Sequence, residues 1–251
     1  MASAATYESV HPENWKFGNM TTSSKGLKKV EIVMDDGFTN PMLQLWKPED
    51  PFLRAPYGIS EPFGSNEPGG QAVQNYQLKV KSLPLELKHP AHLAFMSRVD
   101  QCVLDLIWKN QSTLFNLKDD EDKLPISMLR RQYCGVVKPS KNPVYPATCR
   151  TKINLGSGND STQLQKLLPG GKLERCTTEN IIRGCLVLPI ITVSGIWLSS
   201  TGGFGLSVSC ASLLIVSSGV IPRPLFTGID NITPVAMDEE SVSKETTNEL
   251  Y

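Results

Sequence analysis

The chain has 251 residues, 40% of them hydrophobic and 20% charged, which is enough to bury the core of one fair-sized domain or two small ones. Its 25 basic and 25 acidic side chains give a formal net charge of zero, which excludes a histone-like polycation and an acidic disordered chain. Neither a membrane helix nor a secretory signal is expected, since no run of about 18 apolar residues occurs and the first residues lack a basic segment followed by an apolar one.

The balanced total hides an uneven distribution of charge along the chain. Residues 1–122 and 184–251 each have a net charge of −4, whereas residues 123–183 carry eleven basic and three acidic side chains, a net charge of +8. A basic centre between acidic ends indicates an anionic partner, although a solvated surface is the better explanation for any single lysine.

The first predicted elements in chain order are an arm and two strands. Residues 1–25 are polar and are expected to form a flexible N-terminal arm. Alternation of apolar and polar side chains predicts strands over residues 26–34 and 74–87. Residues 47–70 between them are rich in proline and glycine and are expected to form a long irregular loop.

The clearest helix is predicted over residues 90–117, where apolar side chains recur at three- and four-residue steps. Residues 128–155 are expected to form two strands joined by a proline-rich connection. The most strand-like segments of the chain are 181–199 and 204–217, which a short glycine-containing hairpin joins.

Two residues interrupt the pattern of the first long strand. Pro189 indicates an edge or a bulge, because proline cannot donate to a sheet ladder. Gly195 indicates a bend of the kind found at barrel corners.

The sequence contains no convincing catalytic or metal site. The six cysteines form no Cys-x-x-Cys pair and are interpreted as reduced, mostly buried thiols. His89 and His92 lack a third ligand, and the glycine-rich segment 202–205 lacks the Gly-Lys-Ser/Thr sequel and the helix of a phosphate loop. The chain is therefore predicted not to be an enzyme and to use no metal or other cofactor.

The basic centre and its neighbours instead supply the groups that bind a single nucleic-acid strand without reading its sequence. Such binding needs cations for the phosphates and exposed aromatic rings for the unstacked bases. Arg150 and Lys152 lie two apart in a predicted strand and so share one face. For any one aromatic side chain, a place in the core is an open alternative. The candidate nucleic-acid-binding residues are Arg130, Arg131, Tyr133, Lys138, Lys141, Tyr145, Arg150, Lys152, Trp197 and Phe204.

The C-terminal residues 237–251 carry five acidic side chains and one basic one, and they are predicted to form a mobile acidic tail. Such a segment can compete with nucleic acid for a basic groove, and its apolar end can be captured by a partner. An ordinary frayed terminus is the alternative. The candidate partner-binding residues are Asp238, Glu239, Glu240, Glu249, Leu250 and Tyr251.

Several segments together carry a resemblance to a known family. They are residues 54–60, 80–87 and 95–100, the two long strands with their Gly-Ile-Trp and Phe-Gly-Leu sequences, and the acidic tail with its aromatic end. Over residues 28–251 the chain resembles the single-stranded DNA-binding proteins of nucleocytoplasmic large DNA viruses, a group related to the short-tailed phage type.

The resemblance implies a mainly β, OB-fold-like five-stranded barrel with an inserted α-helix and long loops, spanning residues 26–236. It implies sequence-independent binding of single-stranded DNA in viral-type DNA replication, recombination or repair, in the host cytoplasm or nucleus at sites of replication. The tail would contact replication proteins, and binding of RNA and formation of a homodimer stay open. A non-enzymatic β-sandwich structural protein of a virion is the alternative hypothesis, which the proline- and glycine-rich loops also fit.

Overall fold

The computed structural model describes residues 4–22, 27–34, 37–46, 52–60, 80–118, 122–156, 161–199 and 202–217. All of them belong to the first of two compact units, residues 1–220. The predicted tail lies outside the described residues.

The described residues are mainly β. Short 3₁₀ helices occur at Tyr7–Ser9, Pro12–Asn14 and Thr178–Asn180. The helices are α1 Pro90–Lys109, α2 Gln111–Phe115 and α3 Ile126–Gln132. The strands are β1 Ala5–Thr6, β2 Lys16–Thr22, β3 Lys28–Val33, β4 Met42–Gln44, β5 Leu53–Ala55, β6 Val80–Glu86, β7 Tyr133–Cys134, β8 Val137–Lys138, β9 Thr148–Asn154, β10 Gln163–Leu167, β11 Leu173–Arg175, β12 Cys185–Leu198 and β13 Phe204–Ser217.

The two long predicted strands form the centre of the sheet as β12 and β13, which pair antiparallel along almost their whole length. The other edge of β12 pairs with β3, β4 and β5. The other edge of β13 pairs in parallel with β7, β9 and β10, and β9 continues to β6 and β8. The mainly β expectation is therefore confirmed, but the described pairings form a branched sheet and do not show the five-stranded barrel.

A bulge at Gly195 decides which side chains of β12 face the core. Its φ of +111° lies in the left-handed region, and a Cβ there would meet the Val30 carbonyl oxygen of β3, so glycine is required. Before the bulge Ile191 and Val193 are buried, and after it Ile196 is buried. The one-residue shift therefore turns Trp197 to the opposite face of the sheet.

Pro189 lies inside the sheet, because β12 has paired strands on both sides. The edge position that the proline suggested is wrong. The register with β13 is regular at Pro189 and shifts before Val187 and after Ile190, so bulges flank the proline but their extra residues lie in β13.

The flexible arm expected at residues 1–25 is wrong for residues 4–22. In this segment β1 pairs with β4 and β2 pairs with β3. Tyr7, Val10 and Trp15 are buried, and the Tyr7 ring packs edge-on against His92 with their centroids 5.2 Å apart. Large apolar side chains at irregular spacing anchor this segment to the core. The prediction of a flexible arm rested on the average composition, which is polar.

The helix predicted over residues 90–117 is present as α1 and α2. The apolar stripe of α1, which includes Met96, Val99 and Ile107, is buried. His89 caps the helix, since its Nδ1 accepts a hydrogen bond of 3.3 Å from the Ala91 amide. In the part of the chain that the structure describes, no helix is long and apolar enough to cross a membrane.

The strand expected to begin at residue 128 is replaced in its first half by α3. Ile126 and Leu129, three residues apart, both pack into the core, a spacing that suits a helix. Only the short β7 and β8 follow, whereas the second predicted strand of this region is present as β9.

Candidate nucleic-acid interface

The side chains of β9 alternate between the core and a polar surface. Cys149, Thr151 and Ile153 are buried, whereas Arg150 and Lys152 lie on the opposite side and are half-buried. Their predicted common face is therefore present. We call the side of β8, β9, β12 and β13 that carries these two cations the polar face.

Serine and threonine side chains line the polar face beside the cations. Lys152 lies opposite Ser209 of β13, which in turn lies opposite Thr192 of β12. The hydroxyl oxygens of Ser194 and Ser209 are 2.7 Å apart, in hydrogen-bonding contact. These hydroxyl groups can donate to phosphate oxygens as well as to each other.

Trp197 lies on the same face, opposite Gly205 of β13. Its ring covers this glycine, since a Cβ at residue 205 would come within 3.0 Å of Trp197 Cζ2 and would also collide with the Cys134 carbonyl oxygen. A Cβ at Gly203 would be 3.9 Å from the ring, an ordinary contact. The Trp197 side chain is half-buried, so part of its indole surface is open to a ligand.

Two lysine side chains reach the same stretch of β13. Lys152 Nζ donates to Ser207 Oγ at 3.2 Å. Lys138 Nζ donates to Cys134 Sγ at 3.4 Å, and Cys134 lies opposite Gly205. Two ammonium groups therefore converge beside Trp197. Burial of the Lys152 ammonium group lowers its pKa, because a group partly removed from water is less easily charged.

Asp100 of α1 holds the turn that carries Lys138. Its Oδ1 accepts hydrogen bonds from the Tyr133 hydroxyl at 2.8 Å and the Val136 amide at 3.0 Å, and its Oδ2 accepts from the Val137 amide at 3.0 Å. A Cβ at Gly135 would come within 2.6 Å of this carboxylate. Asp100 carries no local sequence signal for this role, because its partners are more than thirty residues away.

Two predicted aromatic residues, Tyr133 and Phe204, belong to the core. Phe204 is 1% exposed and packs against Phe115 and Tyr133, with centroid distances of 5.7 and 6.0 Å. Burial and the nearby Asp100 carboxylate raise the pKa of Tyr133 well above its usual value, so it remains a neutral donor. Phe204 is not presented to a base and its assignment as a stacking residue is wrong, whereas Tyr133 is partly buried and packs against the core.

The remaining candidates lie in three places. Arg130 and Arg131 are exposed in the last turn of α3, and Arg130 Nη2 donates to Gln101 Oε1 of α1 at 3.0 Å, on the helical side of the molecule. Lys141 and Tyr145 lie in the exposed loop that joins β8 to β9. The six candidate tail residues are outside the described residues.

The structure thus brings together Lys138, Arg150, Lys152 and Trp197. An acidic residue, Glu86, is found across from Thr148 on the neighbouring strand β6. Its carboxylate lies 3.5 Å from the Arg54 guanidinium, which offsets its charge. Arg54 is a cation of this region that the sequence analysis did not select.

The described residues contain no group of three or more His, Cys, Asp or Glu side chains placed to hold a metal ion. The six cysteines are free thiols, of which Cys149, Cys185 and Cys210 are buried. Burial raises the pKa of Cys185 to about 11 and that of Cys210 to about 12, so these thiols stay protonated near neutral pH.

Comparison with known proteins gives a weak structural likeness. No protein-family model matches the chain, and no curated protein is significantly similar to it. A solved structure of the single-stranded DNA-binding protein from bacteriophage Enc34 in complex with ssDNA has 12% sequence identity and a TM-score of 0.39, over 78% of this chain and 93% of that chain. A second structure of the single-stranded DNA-binding protein from bacteriophage Enc34 has 11% sequence identity and a TM-score of 0.39, over 85% of this chain and 98% of that chain.

These values are too low to establish a shared fold or a shared function. The similar structures come from a bacteriophage, and they give no support to the assignment to nucleocytoplasmic large DNA viruses. The family suggested by the sequence therefore stays a prediction.

Proposed function

We propose that the chain binds single-stranded DNA, without reading its sequence, on the polar face. The observation that carries this proposal is the convergence of Lys138 and Lys152 beside the Trp197 ring on one stretch of β13. A base stacks on the indole, and the ammonium groups hold the flanking phosphates.

The chemistry of this face suits a single strand. A base can stack on Trp197 only when it is unstacked from a neighbouring base, which a single strand allows without breaking base pairs. The lysines contact phosphates that every sequence shares, and the serine hydroxyl groups add hydrogen bonds to the same oxygens. Stacking on one ring is worth about 1–3 kcal/mol for any base, so the affinity that the polar face contributes depends little on sequence.

The wider role belongs to the same proposal. We propose a protein of viral-type DNA replication, recombination or repair, of the kind found in nucleocytoplasmic large DNA viruses, which acts at replication sites in the host cytoplasm or nucleus. It carries out no catalysis and needs no cofactor. The acidic residues 237–251 recruit replication proteins and compete with DNA, a role supported by the opposite charges of the tail and the basic centre. A homodimer is compatible with this role.

Fluorescence anisotropy with labelled oligonucleotides tests the proposal. The full chain is titrated against an oligo-dT strand, an RNA strand and a duplex of equal length at several salt concentrations. We expect the single DNA strand to bind more tightly than the duplex, with an affinity that falls steeply as salt rises. Removal of residues 237–251 should tighten binding. Equal or absent binding of both DNA forms would contradict the proposal, and stable self-assembly in light scattering would then favour the structural virion protein.

A further inference from the structure

A second surface, which we call the Tyr57 cleft, lies beside the first residues of β6. Its cavity volume is about 490 Å³. Its lining combines an aromatic ring, two cations, an acid and hydroxyl groups, a mixture that the polar face also shows. These groups belong to Tyr57, Lys81, Arg183, Glu179, Ser60 and Thr178.

Tyr57 is held exposed on a rigid turn. Its side chain is 63% exposed, more than any other aromatic among the described residues. The backbone around it is fixed, because the Ala55 carbonyl accepts hydrogen bonds from the amides of Gly58 at 3.3 Å and Gly184 at 2.7 Å. Gly58 has a φ of +68°, and a Cβ there would come within 2.9 Å of the Ile181 carbonyl oxygen. The turn therefore fixes the backbone position from which the Tyr57 side chain projects.

The rest of the cleft supplies the groups that a nucleotide needs around a stacked base. Lys81 and Arg183 can hold a phosphate. Glu179 lies on the 3₁₀ helix Thr178–Asn180, which a reciprocal pair of hydrogen bonds between Thr177 and Asn180 stabilises. A carboxylate accepts the exocyclic amino group of cytosine or adenine, whereas thymine offers only a carbonyl oxygen at the corresponding position.

The cleft adjoins the polar face at Ser60, whereas its Lys81 lies opposite Ile153 and therefore on the other side of β6. Ser60 and Ser82 exchange two backbone hydrogen bonds of 3.0 and 2.8 Å, and Ser82 lies opposite Lys152. Ser60 is therefore two strand spacings from Lys152, or about 10 Å. A single strand covers this distance in at most about three nucleotides, because the roughly 3.4 Å per nucleotide of a stacked duplex is a lower bound for an unstacked strand.

We propose that the Tyr57 cleft binds one further unstacked nucleotide of the strand that lies on the polar face. Its base stacks on Tyr57, its phosphate is held by Lys81 and Arg183, and Glu179 favours a base that carries an exocyclic amino group. This inference rests on the proposed function, because it assigns a second contact to the same ligand.

The test compares variants in anisotropy titrations with oligo-dC and oligo-dT strands of about 12 nucleotides, within the usual site size of such proteins. Tyr57→Ala should weaken binding of both strands about 5- to 100-fold, and Tyr57→Phe should bind as the unchanged chain does. The unchanged chain should prefer oligo-dC to oligo-dT, and Glu179→Gln should remove this preference. Phe38→Ala is the matched control, since Phe38 is 59% exposed and lines neither surface.

The outcomes separate this inference from the proposed function. If Trp197→Ala weakens binding and Tyr57→Ala does not, the cleft is not a nucleotide site, although the polar face remains one. If Glu179→Gln leaves the preference for oligo-dC unchanged, the role of the carboxylate is wrong. If the unchanged chain binds neither strand, the proposed function itself fails.

Discussion

Adjacent residues of β7 and β13 occupy opposite environments. Tyr133 and Phe204 are register partners on the core side of the sheet, where their rings pack together. The next residues of the two strands, Cys134 and Gly205, are also register partners, and they lie on the polar face under Trp197 and beside Lys138. The large aromatic residues Tyr133 and Phe204 therefore stabilise the fold, whereas the small residues Cys134 and Gly205 leave space for the side chains of Trp197 and Lys138.

The largest expected effects come from comparing Phe204→Ala, which removes a core ring, with Trp197→Ala, which removes a ring of the polar face. Loss of the fully buried phenyl ring should lower the free energy of unfolding by about 3–5 kcal/mol. Loss of the half-buried indole should cost much less stability but should weaken binding of single-stranded DNA by about 1–3 kcal/mol. Urea denaturation and anisotropy measure the two effects. Equal losses of stability would show that Trp197 is also a core residue.

Gly205→Ala should displace the Trp197 ring, which this glycine underlies on the polar face. The added Cβ would collide with the Cys134 carbonyl and approach Trp197 Cζ2 to 3.0 Å, so the ring must move. We expect a loss of about 1–3 kcal/mol in stability and weaker binding of the DNA strand. Gly203→Ala is the matched control, because its Cβ would meet the same ring at 3.9 Å. Equal behaviour of the two variants would contradict the described packing.

The two lysines of the polar face should appear in the salt dependence of binding. Each phosphate contact to a single strand contributes about 0.7 to the slope of log affinity against log salt concentration. Lys138→Ala with Lys152→Ala should therefore reduce the slope by about 1.4. Arg130→Ala should leave it unchanged, since Arg130 contacts Gln101 on the helical side. A similar loss of slope in the double lysine variant and in Arg130→Ala would show that the polar face is not the specific site of phosphate contact.

The smallest expected effect is a dependence on pH that Lys152 alone produces. Its pKa is lowered by burial from the usual 10.5, whereas a bound phosphate favours its charged form. Affinity for an oligo-dC strand should therefore fall as pH rises above the lowered pKa of the free protein, and Lys152→Arg should flatten this fall. An identical pH profile of affinity in the two proteins would show that Lys152 does not contact the DNA.

The stability of the free protein should change in the opposite direction, as pH rises from the lowered pKa of Lys152 to the usual 10.5. Folding favours neutral Lys152, so the unfolded chain binds more protons there, and the free energy of unfolding rises with pH. Thermal unfolding of the unchanged chain and of Lys152→Arg measures the difference.

The sequence predicted the elements that carry strong local patterns. The alternation of β9 placed Arg150 and Lys152 on one face, and β13 has the predicted bounds, because strand periodicity is a local property. The side of the sheet that each aromatic faces was not predictable in the same way. The bulge at Gly195 shifts the alternation of β12 by one residue, so periodicity alone would place Trp197 in the core.

The errors have the same physical origin. The N-terminal segment is ordered by contacts of Tyr7 with His92 and of Arg98 with the Val10 carbonyl at 3.0 Å, far apart in the chain. Asp100 likewise acts on a turn more than thirty residues away. Composition and short windows contain no signal for such contacts, and tertiary packing overrides the local preference.

The most direct test of the central claim is the tryptophan fluorescence of the unchanged chain and of Trp197→Phe during titration with oligo-dT at low salt. We expect quenching in the unchanged chain that salt reverses and that is largely lost in Trp197→Phe. The same quenching in both proteins, or none in either while light scattering shows assembly, would contradict binding of single-stranded DNA on the polar face.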